Sequence, residues 1–235
     1  MSQRAEVGAG PDGPPVEQLR RLLRERPPMA RELPVFDPAA APPDPASLHV
    51  EWLLGAMAAE VPDAQVVAVS TVGEDHHPDA RMLVLRDIDV AHGAWSFQAD
   101  ARSPKGRQLA AAPWAALTSY WPALGRQIRL RGPVEAVGLE RAVPEVRGLS
   151  PAAHVAALVG RQSLPLSGPA EFERAWDAAA ALRERDPATA APGHTRYSVL
   201  AEEVEFWQGD QHRRHVRLVY RRREDGGWHR GLLWP

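Results

Sequence analysis

The 235-residue chain contains no cysteine. That excludes disulfide staples, thiolate zinc sites, cysteine-ligated clusters and a cysteine nucleophile. Lysine is nearly absent: of 28 basic residues, Lys105 alone is not arginine. Charge of one sign is lacking too, since a formal net charge of −2 gives no field able to gather nucleic acid or an anionic membrane non-specifically. No apolar run approaches the roughly 20 residues needed to span a bilayer, and the first residues, MSQRAEVGAGPDGPP, lack the apolar centre of a signal peptide. The expectation is a cytoplasmic enzyme or binding protein with a small-molecule partner, no nucleic acid and no membrane.

What the chain does have is an ordinary globular composition, 44% hydrophobic and 25% charged, with 23 prolines. Residues 1–46 alternate a basic amphipathic stretch at 16–26 with the segments LPVFDP and APPDP, and read as a Pro-rich, partly disordered arm able to lie on a partner subunit. Residues 47–235 read as one domain. Asp44-Pro45 has the form of a helix start, and Leu48, Trp52, Leu53, Ala56 and Met57 then fall on one helical face. Short alternating segments follow, AQVVAVSTV, RMLVLRDIDV, AWSFQAD, WAALTSYW and RQIRLRGPVEAVG, then YSVLAEEVEFWQGD and HVRLVYRRR near the carboxyl end. Tight turns between them predict an antiparallel sheet closed into a barrel. Residues 139–186 have helical periodicity and predict two or three helices inserted before C-terminal strands at 196–235.

Three clusters carry candidate chemistry. In RSPKGRQL, Ser103, Lys105 and Arg107 stand at a helix start, where unsatisfied amides and the helix dipole favour an anion; a solvated helix start would contain the same residues. Arg81 and Arg86 lie five apart on a strand, so they face opposite ways unless that strand is bulged. In EFWQGDQHRRHVR, Trp207 offers a flat apolar face, and Arg213, His215 and Arg217 fall at alternate positions. A shared face would need an anion among them, or would be a solvated outer face. His212 and His215 find no third ligand at a useful spacing, so no metal site is expected. No GxSxG elbow, GxxxxGK[ST] loop or paired acid/base carboxylates are found.

The ordered series RMLVLR, SPKGRQL, SYWPALGRQIRLRG, the RQS at 161–163, and EFWQG with RRHVR resembles the pyridoxine/pyridoxamine 5′-phosphate oxidase family from about residue 44 to 235. The resemblance implies a β-rich α+β fold, an FMN-binding split barrel with inserted and peripheral helices, forming a homodimer with FMN at the interface. It implies flavin contacts from Arg81, Met82, Leu83, Val84, Arg86, Ser103, Lys105, Gln127, Gln162, Ser163, Trp207 and Arg217. Arg213 and His215 match the family's catalytic Arg-x-His pair. The implied reaction is hydride transfer from substrate carbon to flavin N5, with dioxygen reoxidising the flavin.

The departures bear on substrate. Glu145, Leu149 and Ala153 stand where the family holds a substrate phosphate with an aromatic, an arginine and a serine. Arg86 replaces a lysine, Pro104 an arginine and Gln98-Ala99 an aromatic-threonine pair, while the end reads Leu232-Leu233-Trp234-Pro235. This pattern is similar to the family's phenazine-biosynthesis branch, and implies oxidation of an unphosphorylated heterocycle or amine. The alternatives are a true pyridoxamine 5′-phosphate oxidase with phosphate contacts from Arg147 or Arg161, and a flavin-binding protein without turnover.

Overall fold

A computed structural model of the chain describes residues 13–137 and 149–235. Glu145 and Arg147 lie outside them, as do the first residues of the Pro-rich arm.

Helix α1 spans Pro14–Glu25 and buries none of its residues. Helix α2, Pro45–Ala58, starts as its sequence predicts: the Asp44 carboxylate accepts the Ser47 N–H at 2.7 Å, and Pro45 occupies the first turn, where no N–H is missed. Its buried face carries Leu48, His49, Trp52 and Ala56 at helical spacing. Trp52 meets the Phe206 ring edge-on at 5.2 Å, and Phe36, from the segment preceding α2, meets Trp52 at 5.0 Å. The Tyr220 hydroxyl donates to the Pro42 carbonyl at 2.8 Å, so the end of the Pro-rich segment next to α2 lies against its own sheet.

The strands are β1 Val66–Val72, β2 Pro78–Asp89, β3 Ala94–Asp100, β4 Trp114–Trp121, β5 Arg126–Val137, β6 His194–Leu200, β7 Glu203–Gln208, β8 Val216–Arg222 and β9 Trp228–Leu232. Helix α3, Pro104–Ala111, joins β3 to β4, and helices α4, Pro151–Val159, and α5, Pro169–Arg185, stand between β5 and β6. The order β4-β1-β2-β3-β6-β5, with β5 pairing back to β4, closes an antiparallel six-stranded barrel. Strands β7, β8 and β9 extend it as a wing from β5.

Strand β5 serves both parts. Its first half, Arg126 to Arg131, pairs with β7, and residues Val134 to Val137 pair with β6. The exchange of partner falls at Gly132, where an added Cβ would sit 2.0 Å from the Leu200 carbonyl oxygen. Only a residue without a side chain lets the two backbones approach so closely.

Alternate residues of the barrel strands, Val67 and Val69, Leu117 and Trp121, Ile128 and Leu130, form one core with Val204 and Phe206 of β7 and Leu218 and Tyr220 of β8. The Trp121 indole N–H donates to the Ala64 carbonyl at 2.9 Å. Trp95 donates to His49 Nδ1, also at 2.9 Å, and burial drives the His49 pKa down to about 3, keeping that ring neutral. The predicted barrel and inserted helices are thus present. Strand β9 has no counterpart among the predicted segments, because five residues including a glycine give little alternation to read.

Candidate functional site

Two clusters of the expected residues form on different parts of the chain. The first is built on α3. Ser103 caps it: the hydroxyl donates to the Asp100 carbonyl at 2.6 Å and accepts from the Gly106 N–H. Gly106 is required by packing, since a Cβ there would lie 2.3 Å from the Ala101 carbonyl oxygen. The cap turns Lys105 inward, where it is only 5% exposed. Its ammonium donates to Ser103 Oγ at 3.1 Å and to Gln162 Oε1 at 2.8 Å, so neither partner is a carboxylate. Burial pushes the Lys105 pKa down and the nearby Arg81 charge lowers it further, with Asp100 and Asp79 partly opposing.

Arg81 faces the same side as Val69, its partner across the β1–β2 ladder. Its guanidinium donates to Thr71 Oγ1 at 2.6 Å, to Asp79 Oδ2 at 2.5 Å and to Gln108 Oε1 at 3.2 Å. Gln108 is on α3, one turn after Lys105, so two cations converge on one helix start. A dianionic group such as a phosphate offsets their repulsion and can take the ammonium's remaining hydrogen-bonding capacity. FMN carries such a phosphate, and these residues fit it.

The second cluster is on the outer face of the sheet. Tyr120, Gln127, Trp207 and Arg217 are successive register partners across β4, β5, β7 and β8. Directly opposed residues share a face, so they form one lateral row. Arg217 is neutralised within the chain: its Nε lies 2.8 Å from Glu205 Oε1, while Arg129 holds Glu205 Oε2 at 2.5 Å. The anion required by the sequence argument is therefore Glu205 for this arginine, a residue sequence reasoning passed over although it lies two before Trp207 on the same face. Burial alone would raise the Glu205 pKa, but hydrogen bonds from Arg217 and Arg129 bring it below the usual carboxylate range.

The expectation that Arg213, His215 and Arg217 alternate along one strand is not met. Strand β8 begins at Val216, and Arg213 lies in the preceding loop with φ 65°, in the left-handed region. His215 is nevertheless brought to the row by that loop, its ring centre 4.8 Å from that of Trp207.

Arg86 meets the condition set for it. The β2–β3 register skips from Leu85↔Phe97 to Asp87↔Ser96, leaving Arg86 as the extra residue of a bulge. It lines a cavity of about 480 Å³ beneath α4 and α5, shared with Leu149, Ala153, Ala157, Phe172 and Trp176. Arg86 makes no ion pair with a described residue, whereas Arg161, also on the wall, is held by Glu171 at 3.1 Å. Gln162 lines the cavity as well, connecting it with Lys105. Ser163 follows in the left-handed conformation, φ 66°. Of the stretch after Arg81, Leu83 packs on the core, while Met82 and Val84 point outward and are exposed.

A closed antiparallel barrel with an extending wing, a cationic cradle and an aromatic row together define a split-barrel protein equipped for a phosphorylated flavin. Residues 49–138 match the pyridoxamine 5′-phosphate oxidase FMN-binding domain, and residues 195–235 the pyridoxine 5′-phosphate oxidase C-terminal dimerisation region. The chain is 34% identical to the pyridoxine/pyridoxamine 5′-phosphate oxidase of Herminiimonas arsenicoxydans over 82% of its own length and 90% of that protein's. For the Pseudomonas paraeruginosa enzyme the identity is 39%, over 84% and 91%. Among solved structures it is similar to PhzG from Burkholderia lata, in complex with tetrahydrophenazine-1-carboxylic acid, with a TM-score of 0.77 and 25% identity over 87% of this chain and all (100%) of that one. The chain belongs to the pyridoxine/pyridoxamine 5′-phosphate oxidase family, and its cofactor is FMN. No described helix is long and apolar enough to cross a membrane.

Proposed function

We propose that the protein is a cytoplasmic FMN-dependent oxidase of an unphosphorylated, ring-shaped substrate bearing one acidic group. The observation that carries this is the cavity wall: where the family resemblance calls for phosphate-holding side chains, Leu149 and Ala153 are apolar, and Phe172 and Trp176 add aromatic surface. Such a lining suits a planar ring. Arg86, the cation on that wall without an ion-pair partner among the described residues, suits one carboxylate. The complex of the Burkholderia lata protein with a tricyclic carboxylic acid supports the same reading.

Lys105 and Arg81 hold the flavin phosphate, with Ser103 fixing the lysine. Gln162, Ser163 and the backbone of residues 82–84 border the same site, and Arg86 reaches from its substrate side. Gln127, Trp207 and Arg217 form the second wall. The match of residues 195–235 to a dimerisation region supports a second copy of the chain completing each site, its row standing opposite the other copy's cradle. FMN, when bound, supplies the hydride acceptor, with dioxygen as the final electron acceptor. Arg213 orients the substrate, and His215 donates a hydrogen bond to it and moves a proton at its ring nitrogen.

A second reading, oxidation of pyridoxine or pyridoxamine 5′-phosphate, is favoured by the names of the 34–39% identical relatives. Oxygen consumption by the FMN-loaded protein separates the two. Turnover of about 1 s⁻¹ or more with either vitamin phosphate would establish the second reading. Turnover of a reduced tricyclic carboxylate, with both phosphates ignored, is the expected result. A flavin-loaded protein inert to all three would remove both readings and leave a flavin carrier.

A further inference from the structure

The loop between β7 and β8 is organised around one residue. Asp210 Oδ1 accepts the N–H of His212 at 2.8 Å and of Arg214 at 3.1 Å. The Asp210 carbonyl accepts the Arg213 N–H at 3.1 Å, and its own N–H donates to His215 Nδ1 at 3.0 Å. Four of the five residues 211–215 are thus tied to Asp210. The left-handed turn at Arg213, φ 65° and disfavoured for a residue with a Cβ, is the shape these bonds impose.

A ring nitrogen that takes a backbone N–H must present a lone pair. Neutral imidazole has one bare and one protonated nitrogen, so with Nδ1 occupied the proton of His215 resides on Nε2. The Trp207 ring, its centre 4.8 Å from that of His215 and its plane tilted by 44°, does not select between nitrogens. We propose that Asp210 is a positioning residue that holds His215 as the Nε2–H tautomer, so that in the resting enzyme the histidine offers a donor, not a base, to whatever lies beyond Nε2. The side chain acts indirectly: by pinning the amides of residues 212 and 214 it curves the loop until residue 215 returns to the Asp210 amide. The tautomer itself stands on this geometry alone, while its use in turnover rests on the reading of His215 as substrate-facing.

The test uses the full chain, FMN-loaded, labelled with ¹⁵N-histidine, with His215→Gln identifying the His215 signals among the nine histidines. Ring ¹⁵N shifts and long-range ¹H–¹⁵N couplings at a pH where the ring is neutral should show the Nε2–H form. Asp210→Asn, which keeps an oxygen acceptor, should preserve that form. Asp210→Ala should lose it, giving averaged shifts, with the barrel's circular dichroism unchanged. An Nδ1–H ring in the native protein, or an Asp210→Ala spectrum identical to it, overturns the proposal. Turnover should fall in Asp210→Ala and return in Asp210→Asn. If the tautomer behaves as stated but His215→Gln turns over normally, the tautomer assignment stands and the substrate-facing role of His215 fails.

Discussion

Lys105 Nζ and Gln162 Oε1 lie 2.8 Å apart although 57 residues separate them in sequence, one on the helix after β3 and the other just beyond α4. The contact places an uncharged acceptor against a buried ammonium. A bound anion is thereby left as the strongest partner the lysine can gain.

Lys105→Met should therefore weaken FMN binding about tenfold to a hundredfold, the range of a charge-assisted hydrogen bond of about 1.5–3 kcal/mol. Quenching of flavin fluorescence on titration measures it. The apoprotein should not be destabilised, because the native state disfavours this charge. The same shift has a sign in pH: apoprotein stability should rise with pH between the lowered Lys105 pKa and about 10.4, while flavin affinity falls over that range.

His49 gives a second pH dependence, at the acid end. Its pKa is about 3 in the folded barrel and 6.5 ordinarily. The unfolded chain takes up the proton first, so stability is fully present above about pH 6.5 and is lost as pH falls toward about 3, by up to about 4–5 kcal/mol. Denaturant melts at several pH values should show this slope. His49→Gln, which keeps an acceptor for Trp95, should flatten it.

Glu205→Gln should cost about 1–3 kcal/mol in stability, chiefly through Arg217, because Arg129 is half exposed and its share is screened. Flavin affinity should drop with it, as Arg217 loses its anchor beside Trp207. The wild-type contribution is present above about pH 4.3 and disappears as pH falls through the depressed pKa of Glu205. Urea midpoints of the two proteins should converge in strong acid.

Ala157→Phe should fill the cavity under α4. KM for the ring substrate should rise about tenfold or more, a steric penalty of about 1.4 kcal/mol or above, while FMN affinity stays unchanged. Arg86→Ala should raise KM for an acidic substrate and leave a neutral analogue unaffected. Equal effects on both would separate Arg86 from the acidic group.

Much of the fold was legible because period-two burial runs through strands such as β1 and β4, and because Asp44 and Ser103 announce helix starts in one residue. The Lys105 cradle was legible for the second reason. The loop position of Arg213 was not, since a left-handed residue is invisible to alternation and depends on hydrogen bonds that the loop amides donate to Asp210. Glu205 was missed because a buried carboxylate is defined by strands that neighbour it in space, β5 and β8, not in sequence. The cavity wall of α4 and α5 reads only as helical, since a row of alanines looks the same over a void as against a packed neighbour.

The single lysine also makes the molecule its own sensor. Apart from the α-amino group, Lys105 is the one primary amine on the chain, and its lowered pKa makes it the more nucleophilic for it. An acylating reagent small enough to enter should modify one side chain at mildly alkaline pH, and occupancy of the cradle should shield it. Intact-mass spectrometry after a brief pulse would then count flavin-loaded subunits one at a time, with no engineered label.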